Sequence, residues 1–175
     1  VNNTDLKPQY ANNFDATVEY YFEPVGLLSF GVFLKEISDF IYSITGTFIR
    51  SGADNGFGGD YAGFELRSQA NGGFAKVKGW EANYQQQFTF LPAWWGGFGA
   101  FANYTWLATE GNYGGSTVQK TGTLANFTPS AANVGISYIR GKLNLRVVYG
   151  MAGETLVAFN ARDNLKRYRI RSDRL

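Results

Sequence analysis

The sequence predicts an all-β protein: an antiparallel, up-and-down transmembrane β-barrel of which this chain is a sector of about seven strands. Three observations point there. Apolar and polar residues alternate with period two along most of the chain, the alternating runs are about 10 to 18 residues long, and the links between them are short and long by turns. Period two gives a strand one apolar and one polar face. Strands of soluble domains usually run about 5 or 6 residues, whereas a tilted membrane-crossing strand needs about 9 to 11. Antiparallel neighbours bring every second link to the same end, so the short turns share one rim and the long loops the other. That asymmetry belongs to outer-membrane barrels.

Composition supports the same class. The 175 residues include 15 Phe, 11 Tyr and 4 Trp, with 17% aromatics, yet mean hydropathy is slightly negative. A sheet with lipid on one side and water on the other has that balance. Sixteen basic against 14 acidic residues, net +2, is too near neutral for a nucleic-acid binder. With no Cys, disulfides and thiolate sites are impossible, and with no His the commonest general base and metal ligand is missing. No run of about 18 apolar residues offers a transmembrane helix. The opening "VNNTDLKPQY" has neither the basic start nor the apolar stretch of a secretory signal.

The elements follow in order. In "NFDATVEYYF" (13–22), Phe14, Ala16, Val18, Tyr20 and Phe22 alternate with Asp15, Thr17, Glu19 and Tyr21. After the turn "EPVG", the run 27–44 carries Leu28, Phe30, Val32 and Leu34 on one face. A polar, Gly-rich loop is expected over roughly 46–73. The strand 76–91 then puts Trp80, Ala82, Tyr84, Phe88 and Phe90 on one face and Glu81, Asn83, Gln85, Gln87 and Thr89 on the other. A short turn at 92–97 leads to Phe98, Ala100, Ala102, Tyr104, Trp106 and Ala108 on the next strand. A second long loop is expected over roughly 111–128. Strand "AANVGISYI" (131–139) turns at "RGK" into "LNLRVVYGM" (143–151), and the tail 165–175 reads as a seventh strand bearing Tyr168 and Ile170.

Aromatics crowd the short turns. Tyr20, Phe22, Phe88, Phe90, Trp94, Trp95, Phe98 and Tyr138 are expected at the inner membrane–water interface, where amphipathic rings are favoured. The rival reading is a water-soluble β-sandwich binding module with these rings in its core; a passive porin shares every barrel feature. Seven strands are too few for a single-chain bacterial barrel, and "RSDRL" lacks a terminal aromatic. Residues 1–175 are therefore expected to be one partial domain, completed by further barrel strands.

Three segments resemble the barrel of TonB-dependent outer-membrane receptors. "LKPQYANNFDATVEYYFEPVGLLSFGVFLKEISDFIYS" (6–43) is similar to that family's segment of a Leu-Lys-Pro-Glu stretch, a strand, a short turn and a strand, with Gln9 in place of the usual Glu. "VKGWEANYQQQFTFLPAWWGGFGAFANYTWLATEG" (77–111) is similar to the next hairpin, and "TPSAANVGISYIRGKLNLRVVYG" (128–150) to the one after. The resemblance implies a 22-stranded barrel around a plug domain that is not in this sequence. It also implies active uptake of a scarce, bulky nutrient (iron chelate, cobalamin or oligosaccharide), with TonB reached through the plug and outer-membrane lipid and lipopolysaccharide as surroundings.

Candidate ligand contacts lie on the two long loops. Arg50, Asp54, Asn55, Asp60, Tyr61 and Arg67 on the first, and Tyr113 and Gln119 on the second, offer hydrogen bonds and ring stacking to a chelate or sugar. Glu19, Lys35, Glu81, Asn83, Gln85, Gln87 and Arg146 face the interior. Glu81 has no partner acid and no apolar pocket, so no catalytic pair is expected, and neither metal nor cofactor is called for.

Overall fold

In the computed structural model the described residues are 3–23, 25–113, 121–158 and 163–175. Twelve strands are described: β1 Tyr10–Phe22, β2 Gly26–Ser38, β3 Ile41–Phe48, β4 Glu65–Asn71, β5 Phe74–Gln87, β6 Phe98–Asn112, β7 Thr121–Gly122, β8 Ser130–Arg140, β9 Leu143–Ala152, β10 Thr155–Ala158, β11 Arg167–Arg169 and β12 Ser172–Arg174. Eight of them make one antiparallel sheet in the order β1-β2-β5-β6-β8-β9-β12, with β7 beside the end of β6. It is an up-and-down meander, open at both edges. Among the described residues no helix is long and apolar enough to cross a membrane.

Register fixes the two faces. Val18 lies opposite Phe30, Phe30 opposite Ala82, Ala82 opposite Tyr104 and Tyr104 opposite Ala132, so the apolar residues of successive strands fall on one side. Among the described residues no second sheet packs there: Val18 is 72% exposed, Phe30 49% and Ile136 55%. A sandwich would clasp these rows between two layers, so that reading is excluded. The same face ends in a charged row, Glu36–Lys76–Glu110, in which Lys76 Nζ and Glu36 Oε1 are 3.0 Å apart. From Gly26 to Glu36 the strand rises about 33 Å, which a tilt of about 40° reduces to about 25 Å of height. That height is close to the apolar band of an outer-membrane barrel, and the exposed Lys78, opposite Leu34, lies within it near the charged row.

The other face is polar and brings together Glu19, Lys35, Glu81, Asn83, Gln85, Gln87 and Arg146. Gaps at its glycines are covered by rings. A Cβ on Gly79 would fall 2.6 Å from Phe33, and one on Gly135 2.4 Å from Phe101. Phe101 also carries the Arg146 guanidinium 4.3 Å above its ring.

Several boundaries differ from the sequence expectation. The loop expected at 46–73 has strand at both its ends, because β3 and β4 pair with each other and leave 49–64 as the tip. Ile41 opposite Asn71 keeps the register of Ser38 opposite Phe74, so β2–β3 and β4–β5 form one long ribbon. The ribbon is interrupted at Asp39, whose φ of 53° lies in the left-handed region that Asp tolerates better than bulky residues. Phe88 and Phe90 are not on the strand, since β5 stops at Gln87 and the turn spans 88–97. The tail is two short pieces, β11 on β10 and β12 on β9, rather than one strand.

Side chains re-satisfy the backbone at the interruption. Asn71 Nδ2 donates to the carbonyls of Asp39 (2.7 Å) and Lys7 (2.9 Å), and Asn71 Oδ1 accepts from the Lys7 amide (2.8 Å). Gln9 Oε1 accepts the Ile41 amide at 3.3 Å. An amide oxygen accepts this bond as a carboxylate would, so Gln9 fills the place that the resemblance gives to Glu.

The buried core is small and sits on the interior face at the long-loop end. Phe40, Ala75, Val77, Tyr113 and Leu124 are buried, with Phe33, Ile37, Tyr42 and Phe127 packed around them. The interior wall is thus polar toward the short turns and apolar toward the long loops, where period-two reading alone expects polarity throughout.

Candidate functional site

The tip 49–64 is organised by one side chain. Asn55 Nδ2 donates to the carbonyls of Arg50 (3.1 Å) and Asp60 (2.8 Å), while Asn55 Oδ1 accepts the amides of Phe57 (2.8 Å) and Gly59 (3.0 Å). Asn55 is therefore the frame of the tip, and its hydrogen-bonding groups are spent inside the loop. Gly56, Gly58 and Gly59 all have positive φ, which the tight winding around this amide requires. Arg50, Asp54 and Asp60 project as exposed side chains from the framed backbone.

Tyr61 is 61% exposed and held edge-on between Phe57, with centroids 5.9 Å apart, and Phe64 at 6.1 Å. The sequence reading singled out Tyr61 and missed its two neighbours; the spacing Phe57–Tyr61–Phe64 is the signal for them. Arg67 stands apart on β4, where Nε and Nη2 both donate to Glu65 Oε2, at 3.0 and 2.9 Å. Replacing Asn55 by Ala removes four hydrogen bonds. The expected outcome is a tip loosened by about 1 to 3 kcal/mol, read as faster proteolysis within 49–64 and unchanged barrel mobility on gels.

The second loop behaves differently. Gln119 lies outside the described residues. Tyr113, expected as a ligand contact, is 3% exposed, and its hydroxyl donates to the Thr123 carbonyl at 2.7 Å. It packs edge-on against Phe40 (5.3 Å) and Tyr42 (5.0 Å), so it builds the core of the mouth and offers a ligand almost no surface. Loss of solvation pushes its phenol up to about 12, the hydrogen bond from the backbone acting in the opposite sense. An acid held above its unfolded pKa stabilises the fold at neutral pH, and that contribution is lost as pH rises from about 10 through 12. An ultraviolet titration should show one tyrosine ionising near pH 12, and the mouth should loosen over the same interval.

Beside this core lies a recess of about 280 Å³ walled by Phe40, Tyr42, Tyr113, Phe127 and Val157. Deeper, toward the short turns, a depression of about 720 Å³ opens on the polar wall, lined by Asn83, Gln85, Gln87, Asn103 and Arg146. Asn83 Nδ2 donates to Ser29 Oγ (3.2 Å) and Asn133 Nδ2 to Asn103 Oδ1 (3.0 Å), bonds that join neighbouring strands. Such a wall presents amides and hydroxyls to the interior. No cluster of three or more potential metal ligands occurs among the described residues.

Near the short turns the expected aromatics fall into three clusters of ring contacts, the first joined by Tyr84. Tyr20 stacks on Phe22 (6.0 Å) and Phe22 on Tyr84 (6.2 Å). Phe88 meets Phe90 (5.8 Å), Trp94 stacks on Trp95 (4.2 Å), Trp95 meets Phe98 (5.7 Å) and Phe98 meets Tyr138 (4.7 Å).

No curated protein matches the chain. The family described as TonB dependent receptor-like, beta-barrel matches residues 1–172. Its members are transport receptors of the bacterial outer membrane rather than enzymes. Meander, two-faced strands and family match agree: the chain belongs to the TonB-dependent receptor-like β-barrel family.

Proposed function

We propose that this chain is a wall sector of an energised importer, a partial domain of a barrel of about 22 strands completed by further strands and a plug. It takes up a scarce, bulky nutrient (an iron chelate, cobalamin or an oligosaccharide), and the TonB complex delivers energy through the plug. The observation that carries this reading is the ribbon β2–β3/β4–β5, which continues in register past the charged row Glu36–Lys76–Glu110. The eight residues of β3 add about 26 Å of strand length. They hold the framed tip, with Arg50, Asp54, Asp60 and Tyr61, out beyond the membrane as the first surface a nutrient meets. Arg67 on the shaft is a flanking contact. The aromatic clusters from Tyr20 to Tyr138 lie at the headgroups of the inner leaflet, and the polar wall around Gln85 and Arg146 faces the plug.

Uptake by cells expressing the whole receptor is the test. Deleting the tip between Ser51 and Ala62 should abolish nutrient binding while leaving the barrel folded, and removing TonB should abolish uptake while leaving binding intact. Uptake that persists without TonB, together with steady ion conductance in planar bilayers, would make the protein a passive pore.

A further inference from the structure

The short-turn rim carries a feature that nutrient uptake does not use. The 3-10 turn Ala93–Gly97 stands against the apolar face of β8 and β9 and closes one side of a groove of about 420 Å³. Trp94, Phe98, Ile136, Tyr138, Leu145 and Val147 wall it together with Leu143, Ser137 and Arg146, and the surface they present is almost wholly apolar. Gly97 permits the close approach, for a Cβ there would fall 2.9 Å from both the Tyr138 ring and the Ile139 carbonyl oxygen. A further strand pairing along the edge of β9 would widen the sheet sideways and leave the face of the groove open.

Charge at the groove's end identifies the occupant. Residues 111–153 contain no Asp or Glu. Arg140 lies opposite Leu143, whose neighbours Leu145 and Val147 line the groove, and therefore shares the lipid-facing side. Lys142 sits at the adjoining turn; both cations are exposed, and neither forms an ion pair among the described residues. Arg140 is two residues beyond Tyr138, roughly 7 Å along the strand. An open apolar groove thus ends near two cations, with the exposed Trp94 beside it.

We propose that this groove is a seat for one anionic phospholipid of the periplasmic leaflet, an acyl chain lying against Trp94, Phe98, Tyr138 and Leu145 and the phosphate held by Arg140 and Lys142. Two juxtamembrane cations favour a net-negative over a zwitterionic headgroup by about tenfold or more. The proposal rests on the strands crossing the membrane, and it is independent of which nutrient is carried or how uptake is driven.

The test uses the whole receptor, extracted in mild detergent, with bound lipid counted by native mass spectrometry. Added phosphatidylglycerol should be retained about tenfold more strongly than phosphatidylethanolamine of the same chain length. Arg140→Gln with Lys142→Gln should bring that ratio within twofold. Leu145→Trp, which fills the groove with an apolar ring, should lower retention of both lipids. Quenching by phosphatidylglycerol with brominated chains should fall in Trp94→Phe, a readout available in a folded protein even if the groove variants assemble poorly. Equal retention of the two phospholipids by the unaltered protein, an unchanged ratio in the double variant, or displacement by lipid A would overturn the proposal.

Discussion

Val134→Arg should prevent or reverse insertion of the barrel, with a loss of about 2 to 4 kcal/mol, the cost of a guanidinium facing lipid near mid-membrane. Val134 lies between Ala102 and Tyr149 in the apolar rows and is 46% exposed with no protein layer over it. Whatever solvates that position solvates the new charge. In water the substitution is nearly free; in hydrocarbon it is not. The matched substitution on the opposite face, Thr17→Arg, sits beside Glu19 and across from Gly31, and should change stability by less than about 1 kcal/mol. Denaturant titration of refolding into lipid vesicles measures both. Equal costs for the two would show that both faces meet the same medium, which no membrane barrel allows.

Phe40→Ala should loosen the long-loop mouth without unfolding the main sheet. Phe40 is 6% exposed and is the hub on which Tyr42 and Tyr113 pack. A Cβ added to Gly72 would lie 2.2 Å from the Phe40 ring, and one on Gly111 2.5 Å from Leu124 and 3.2 Å from Phe40, so Gly72 is shaped around Phe40 and Gly111 around Leu124 and Phe40 together. Truncating a buried Phe costs about 3 to 5 kcal/mol through lost transfer energy and the cavity left behind. Here that loss falls on a local cluster joining β2, β5 and the segments around Tyr113 and Leu124. Amide exchange should rise by two to three orders of magnitude across 39–48 and 121–127, and remain slow across β5 and β6 below Val77. Exchange that rises evenly along the whole sheet would mean that mouth and wall form a single cooperative unit.

Both expectations depend on features of very different legibility. The rows of Val18, Phe30, Ala82 and Tyr104 were readable because a strand's side chains alternate by geometry alone, and lipid selects one face over its full length. Strand order and the positions of the short turns followed, since each long hairpin pairs with its neighbour in sequence. Tyr61 was legible as an exposed loop aromatic, but its partners Phe57 and Phe64 were not, because their contact depends on how the glycines wind the loop around Asn55.

The mouth was the least legible part. Asp39, Gln9 and Asn71 look like ordinary surface residues, and their common task appears only when residues 64 positions apart, such as Lys7 and Asn71, lie side by side. Tyr113 looked available to a ligand because it stands in a polar stretch beside glycines. Its burial comes from Phe40 and Tyr42, which belong to another hairpin, and from Leu124 across the β6–β7 pairing.

From the sequence alone came the environment: which face meets lipid, which rim bears the short turns, and the class of barrel that results. These are local consequences of period two and of solvent choosing a face, so neighbouring residues encode them. Tertiary structure alone decided which loop residues are frame and which are surface, that the interior wall turns apolar near the mouth, and that a groove closes at Trp94. Those depend on packing between distant segments, where position in the chain gives no measure of distance in space.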